Sequence, residues 1–283
     1  MNSLLISFVA PDICVSAFVY LAGGLLLKIK SKSRWYLCFL LGLVLGLGYL
    51  SKTAMFLISF LFILSVIFMH DNLLKGLLYG FISLAAFCLI SSPFIYLLSK
   101  SKGYFSYGES GKLNYTWETN ENNCWCLSPG FPGCNGKLKH PVREIFQNPT
   151  IFEYSTPFNV TYPPDYDPSY WCDGTVPYFD FRGQYRTLTR TAKYYFNLFF
   201  GKQSGLIVTC LILFLVGSRR KSFLEDLKNE WVIILPAIGG MGLYALVHVE
   251  FRYICAFFVI FWLGLFSAVK LPDINETKKL FLL

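Results

Sequence analysis

The sequence predicts an all-α polytopic membrane protein with about six transmembrane helices and one large mixed extracytoplasmic loop domain. Three observations predict it. Hydrophobic residues make up 54% of the chain and charged residues only 15%, too apolar a balance for an ordinary soluble domain. Runs such as Leu37 to Leu50 and Met55 to Met69 hold no charge, and a bilayer asks for about 20 predominantly apolar residues per span. One polar stretch, Lys100 to Lys193, sits between the apolar blocks and carries four of the nine cysteines. The expected division is transmembrane helices one to four over 1–99, a loop domain over 100–193, and helices five and six with a cytoplasmic tail over 194–283.

The net charge of +8 does not mark a nucleic-acid surface. Within the large loop ten Lys/Arg stand against nine Asp/Glu. The surplus lies beside apolar runs, at Lys28, Lys30, Lys32 and Arg34 and at Arg219, Arg220 and Lys221. Basic clusters flanking apolar runs set orientation at a cytoplasmic face. The location expected is therefore integral to a membrane, the plasma membrane by default, with the large loop outside.

Taken in order, Ile13 to Leu27 predicts a first span that starts outside at Pro11-Asp12 and ends in a basic cluster. No basic segment precedes it, so it does not read as a secretory signal. An outside amino terminus with charges only after the span reads as a cut through a longer protein. Trp35 to Met69 is too long for one span, since a helix rises about 1.5 Å per residue and the hydrocarbon core is about 30 Å thick. Its break is expected at Ser51-Lys52-Thr53, with Lys52 at the outer face. Gly42-x-x-x-Gly46 predicts a close helix crossing. Gly76 to Leu98 crosses outward. After the loop, Tyr194 to Phe200 forms an interfacial aromatic belt leading into Ser204 to Gly217. Trp231 to Val247 goes out, His248 to Arg252 turns at the outer face, and Tyr253 to Val269 returns.

Three features carry chemistry. Cys124, Cys126, Cys134 and Cys172 lie in the polar loop, where oxidising conditions favour pairing. They are disulfide candidates; a four-thiolate zinc site is the rival, although its usual paired spacing is absent. The loop also gathers Tyr115, Asp165 and Trp171 among many aromatics. Rings and carboxylates of this kind suit sugar binding, and equally the core of a small folded cap. Finally, Asp12, Lys52, Glu250 and Arg252 lie at span ends on the outer face. They either snorkel to water and neutralise one another, or hold the phosphate of a lipid-linked substrate. No cofactor follows from these residues, and a divalent cation stays open. No phosphate-binding glycine loop, nucleophile elbow or zinc-protease helix is present.

Several stretches together resemble a known group. Val9-Ala10-Pro11-Asp12, Gly42 through Thr53 and Glu250-Phe251-Arg252-Tyr253 are similar to segments of membrane-embedded GT-C glycosyltransferases related to protein O-mannosyltransferases. Gly108 to Tyr115 and Thr161 to Trp171 look like a bacterial, largely cyanobacterial branch of that group. The resemblance covers nearly the whole chain and implies transfer of a sugar from a polyprenyl-phosphate carrier to a glycan, lipid or protein acceptor outside the cytoplasm. It also implies an acidic catalytic residue in a first outer loop, which no stretch here matches; the missing amino-terminal half becomes an expected partner. By this analogy Lys52 and Arg252 line the carrier phosphate, the loop covers the acceptor, and no residue is assigned as catalytic. The expected function is the carboxy-terminal portion of such a transferase, and the alternative is a non-catalytic subunit or a relic of one. A transporter fits less well, for want of repeated halves.

Overall fold

The computed structural model describes residues 11–121, 142–154, 176–216 and 220–269. These residues are predominantly helical, with one two-stranded antiparallel hairpin. The chain divides into two compact units, the first comprising Met1–Phe94, Ala192–Tyr244 and Val249–Leu283, the second Ile95–Thr191 and Ala245–His248.

In the first unit, α1 (Asp12–Ser31), α2 (Trp35–Ser51), α3 (Met55–Phe68) and the first part of α4 (Leu73–Lys102) follow one another with short breaks. α1 extends four residues beyond the expected Leu27, because Lys28 and Lys30 occupy its last turn, where cations complement the helix dipole. The break between α2 and α3 falls at Lys52, as the length argument requires. Lys52 is extended, and its N–H donates to the carbonyls of Gly48 and Tyr49 to close α2. The later helices are α7 (Ser204–Val216), α8 (Arg220–Asn229), α9 (Trp231–Ala245) and α10 (Phe251–Ser267).

Close packing follows the small residues. A side chain at Gly42 would run into the backbone carbonyl of Ser83 and the methyl of Ala86, so α2 and α4 touch through their backbones. Ser83 seals that contact by donating to the carbonyl of Cys38 at 2.9 Å. The core is aromatic and aliphatic: Tyr49, Phe62, Phe87 and Phe257 are fully buried beside Leu26, Leu45 and Ile254.

Among the described residues two helices, Asp12–Ser31 and Leu73–Lys102, are long and apolar enough to cross a membrane, fewer than the six expected spans. A third candidate is the pair Phe181–Lys202 and Ser204–Phe214, bent by 67°. Trp35–Ser51, Met55–Phe68, Trp231–Ala245 and Phe251–Ser267 are apolar but shorter. α1, with 20 residues, is about 30 Å long, close to the hydrocarbon thickness of about 30 Å. Its two ends are polar. Asp12 meets Lys52 at one, and Lys30 meets Glu230 at 3.2 Å at the other.

In the second unit, α4 runs past the expected Leu98 to Lys102. Gly103, at φ +76°, stops it by donating to the carbonyl of Ser99, a left-handed cap that glycine enters without strain. α5 (Ser110–Glu118) follows, and β1 (Val142–Gln147) pairs antiparallel with β2 (Thr150–Tyr154), with a register irregularity between Glu144 and Phe146. Residues 181–191 of α6 (Phe181–Phe196) also belong here, whereas the sequence pattern treats the stretch up to Lys193 as loop. Asp180 starts this helix, its carboxylate accepting from the N–H groups of Arg182 and Gly183 at 3.0 Å each. From Phe196 the chain continues through a π-helical turn, Asn197–Lys202, where the aromatic belt was expected.

Candidate functional site

The first unit brings four sequence-predicted residues together. Asp12 opens α1, Lys52 joins α2 to α3, and Glu250 and Arg252 flank the start of α10. Packing of α1 against α2 and α10 converges these ends. The Lys52 ammonium donates to the Asp12 carboxylate at 2.6 Å. Arg252 pairs with Glu250 and lies 3.8 Å from the second Asp12 oxygen. Asp12 therefore stands between two cations.

Two tyrosines complete the arrangement. Tyr253 places its ring 3.6 Å from the Lys52 ammonium, and its hydroxyl accepts from the Arg252 guanidinium at 3.0 Å. Tyr244 stacks on Tyr253 at 5.6 Å and lies 6.0 Å from the same ammonium. The negative faces of aromatic rings attract cations, more so where water is thinned. Asp12 and Lys52 keep only 12% and 22% of their side chains exposed, so their attraction is weakly screened. The Tyr244 hydroxyl is buried with no hydrogen-bond partner among the described residues. A buried unpaired hydroxyl costs about 1–3 kcal/mol, and an acceptor arriving beside Lys52 would relieve it.

The tyrosines escaped the sequence reading as site residues. Tyr253 adjoins Arg252, and Tyr244 lies near the end of α9, just before the turn that leads into α10; aromatic residues next to buried cations are the signal that points to them.

The second unit holds two further polar clusters. Glu109, with 2% of its side chain exposed, accepts from Ser106 at 2.6 Å and Tyr104 at 3.2 Å and pairs with Lys112 at 2.9 Å and Lys102 at 3.6 Å. Burial works to raise this carboxyl, but the bonds from Ser106 and Lys112 and the charges of both lysines outweigh it and hold it below the ordinary range. Glu118 lies between His248 Nδ1 at 3.2 Å and Arg190 at 2.7 Å. The His248 hydrogen bond, against some burial and with Arg190 assisting, holds Glu118 low as well. Among the sequence candidates in this unit, Tyr115 lies on α5 with its hydroxyl buried and without a hydrogen-bond partner among the described residues. Asp165, Trp171, Cys124, Cys126, Cys134 and Cys172 lie outside the described residues. Among the described residues no group of three His, Cys, Asp or Glu is placed to hold a metal.

No family model, curated protein or solved structure matches the chain.

Proposed function

We propose that the cluster of Asp12, Lys52, Glu250 and Arg252 binds the phosphate of a polyprenyl-phosphate-linked sugar, and that the chain acts as the carboxy-terminal portion of a glycosyltransferase. The observation that carries this reading is the convergence of Lys52 and Arg252 on Asp12 and Tyr253 at one polar end of an apolar helix bundle. A lipid-linked phosphate sits at the same depth, where hydrocarbon gives way to water. The unpaired Tyr244 hydroxyl adds a donor for a phosphate oxygen. On this reading the cluster faces outward and Lys30 and Glu230 inward, as the basic clusters predict.

The chemistry would be an inverting transfer. A carboxylate removes the proton of an acceptor hydroxyl, the new oxygen–carbon bond forms at the sugar, and the carbon–oxygen bond to phosphate breaks with its electron pair passing to phosphate. The carrier phosphate gains a negative charge in that step. Fixed cations placed beside it stabilise the transition state more than the ground state. Lys52 and Arg252 take this role in the proposal, and their carboxylate and tyrosine partners hold them in position.

A second reading has its own observation. The two cations are already matched by two carboxylates, so the cluster balances its charge unaided. On this reading it is a latch that fastens α1, the α2–α3 break and α10 in a non-catalytic membrane subunit. Sugar transfer by membranes containing the complete enzyme separates the two. Lys52→Gln and Arg252→Gln are expected to lower transfer by at least about 100-fold, as removal of a transition-state donor does, in variants that lose some stability but stay folded. Unchanged transfer with a lowered melting temperature would leave the latch.

A further inference from the structure

The helix α6 is arranged inside out. Its inward stripe, Gly183, Thr187 and Thr191, is small and polar and buried. Thr187 donates to the carbonyl of Glu118, Thr191 donates to that of Ala245, and Gly183 lies against the carbonyl of Thr119. The opposite side is apolar and open. Phe181, Tyr185, Leu188 and Ala192 recur at i, i+4, i+7 and i+11 and share one face. Phe181 is 73% exposed and Tyr185 67%, and Phe179 just before the helix is 75% exposed.

Beside that ridge runs a basic face. Arg182, Arg186, Arg190 and Lys193 are the only charged residues between Phe181 and Phe196, and no acidic residue joins them. Arg190 turns to Glu118, and Arg186 meets Glu121 across an exposed pair that water screens. At Gln203 the chain bends by 67° into α7, whose Val208, Leu211 and Ile212 are exposed.

We propose that α6 lies in the plane of a bilayer surface, with Phe181, Tyr185 and Leu188 set among the upper acyl chains and Arg182, Arg186 and Lys193 against anionic lipid headgroups. A high amphipathicity, low net hydrophobicity, aromatic insertion and flanking Arg/Lys are what an interfacial helix requires. The bend accounts for the change of role: an in-plane helix turns into an apolar one that enters the bilayer. Charge complementarity decides the occupant: the helix carries four cations and no acid of its own, Glu118 and Glu121 match only two of them, and the net positive face favours anionic headgroups, each basic residue near such a surface being worth roughly fivefold in binding. The proposal rests on the chain being embedded in a membrane and is independent of sugar transfer.

The test uses the full chain in proteoliposomes of phosphatidylcholine with or without phosphatidylglycerol, carrying trace lipid with a photoreactive group high on the acyl chain. Crosslinked residues are mapped by mass spectrometry. Labelling is expected at Phe179, Phe181, Tyr185 and Leu188, rising about fivefold with the photoreactive phosphatidylglycerol over the phosphatidylcholine probe. The triple variant Arg182→Gln, Arg186→Gln, Lys193→Gln is expected to lose that rise and keep the basal labelling. Labelling of α4 at Phe81 and Leu89, with none over 176–192, would overturn the in-plane helix. Equal yields from both probes in the unmodified chain would overturn the headgroup contact. Loss of labelling on α4 as well would strike the membrane reading itself.

Discussion

The ammonium of Lys52 lies 2.6 Å from the carboxylate of Asp12, a bond that ties the first turn of α1 to the break between α2 and α3. Both side chains are largely shielded from water. Contact pairs of this kind show coupling energies of about 0.5–3 kcal/mol in double-mutant cycles. The cycle Asp12→Asn, Lys52→Gln is expected to give about 2 kcal/mol in thermal or denaturant unfolding, at the upper part of that range because of the burial. Additive effects of the two substitutions would show that the bond contributes nothing to the fold.

Gly42 marks a close helix approach in the first unit. A Cβ there meets the carbonyl of Ser83, a backbone atom that cannot swing aside. Overpacking of a tight contact costs about 1–3 kcal/mol. Gly42→Val is expected to lower the melting temperature by that equivalent, whereas Gly24→Val, where a side chain would meet nothing within 4 Å, is expected to change it little. Equal melting temperatures for the two variants would contradict the α2–α4 contact.

Acidification tests the second unit. Glu109 and Glu118 are both held below the ordinary glutamate value, which is about 4.3. A folded value beneath the unfolded one contributes stability that is present in full above the unfolded value. That stability is lost as pH falls through the lower folded value. Melting temperatures are therefore expected to hold from pH 7 to about 5 and to drop below about 4. Glu109→Gln should shallow the drop. Glu109→Ala is expected to cost about 3 kcal/mol at neutral pH, because it removes the buried acceptor of Ser106 and Tyr104 and the ion-pair partner of Lys102 and Lys112. A melting temperature independent of pH down to about 3 would contradict both pairings.

The sequence and the structure agree where composition alone decides. A run of apolar residues longer than a bilayer must break, and Lys52 was the one charge available to break it. The positions of Asp12, Lys52 and Arg252 at the ends of apolar helices were legible for the same reason, since each borders an apolar run. That Lys52 reaches Asp12 and Tyr253 was not legible, because it depends on how α1, α2 and α10 pack. The helical start at Phe181 was missed because α6 has no apolar inward stripe; Thr187 and Thr191 bury hydroxyls against carbonyls, and a hydrophobic pattern cannot show that. Glu109 was read only as part of a motif. It pairs with Lys102, which lies on α4 because the helix continues through Pro93 and ends only at Gly103.

Binding of a polyprenyl-phosphate sugar to the full chain in nanodiscs tests the central claim most directly, read beside the melting temperature of each variant. The proposed phosphate site predicts saturable binding that falls at least about tenfold in Lys52→Gln and again in Arg252→Gln, charged hydrogen bonds being worth about 1.5–3 kcal/mol each, while both variants stay folded. Binding that is absent from the unmodified chain, or identical in folded Lys52→Gln and Arg252→Gln, would contradict it.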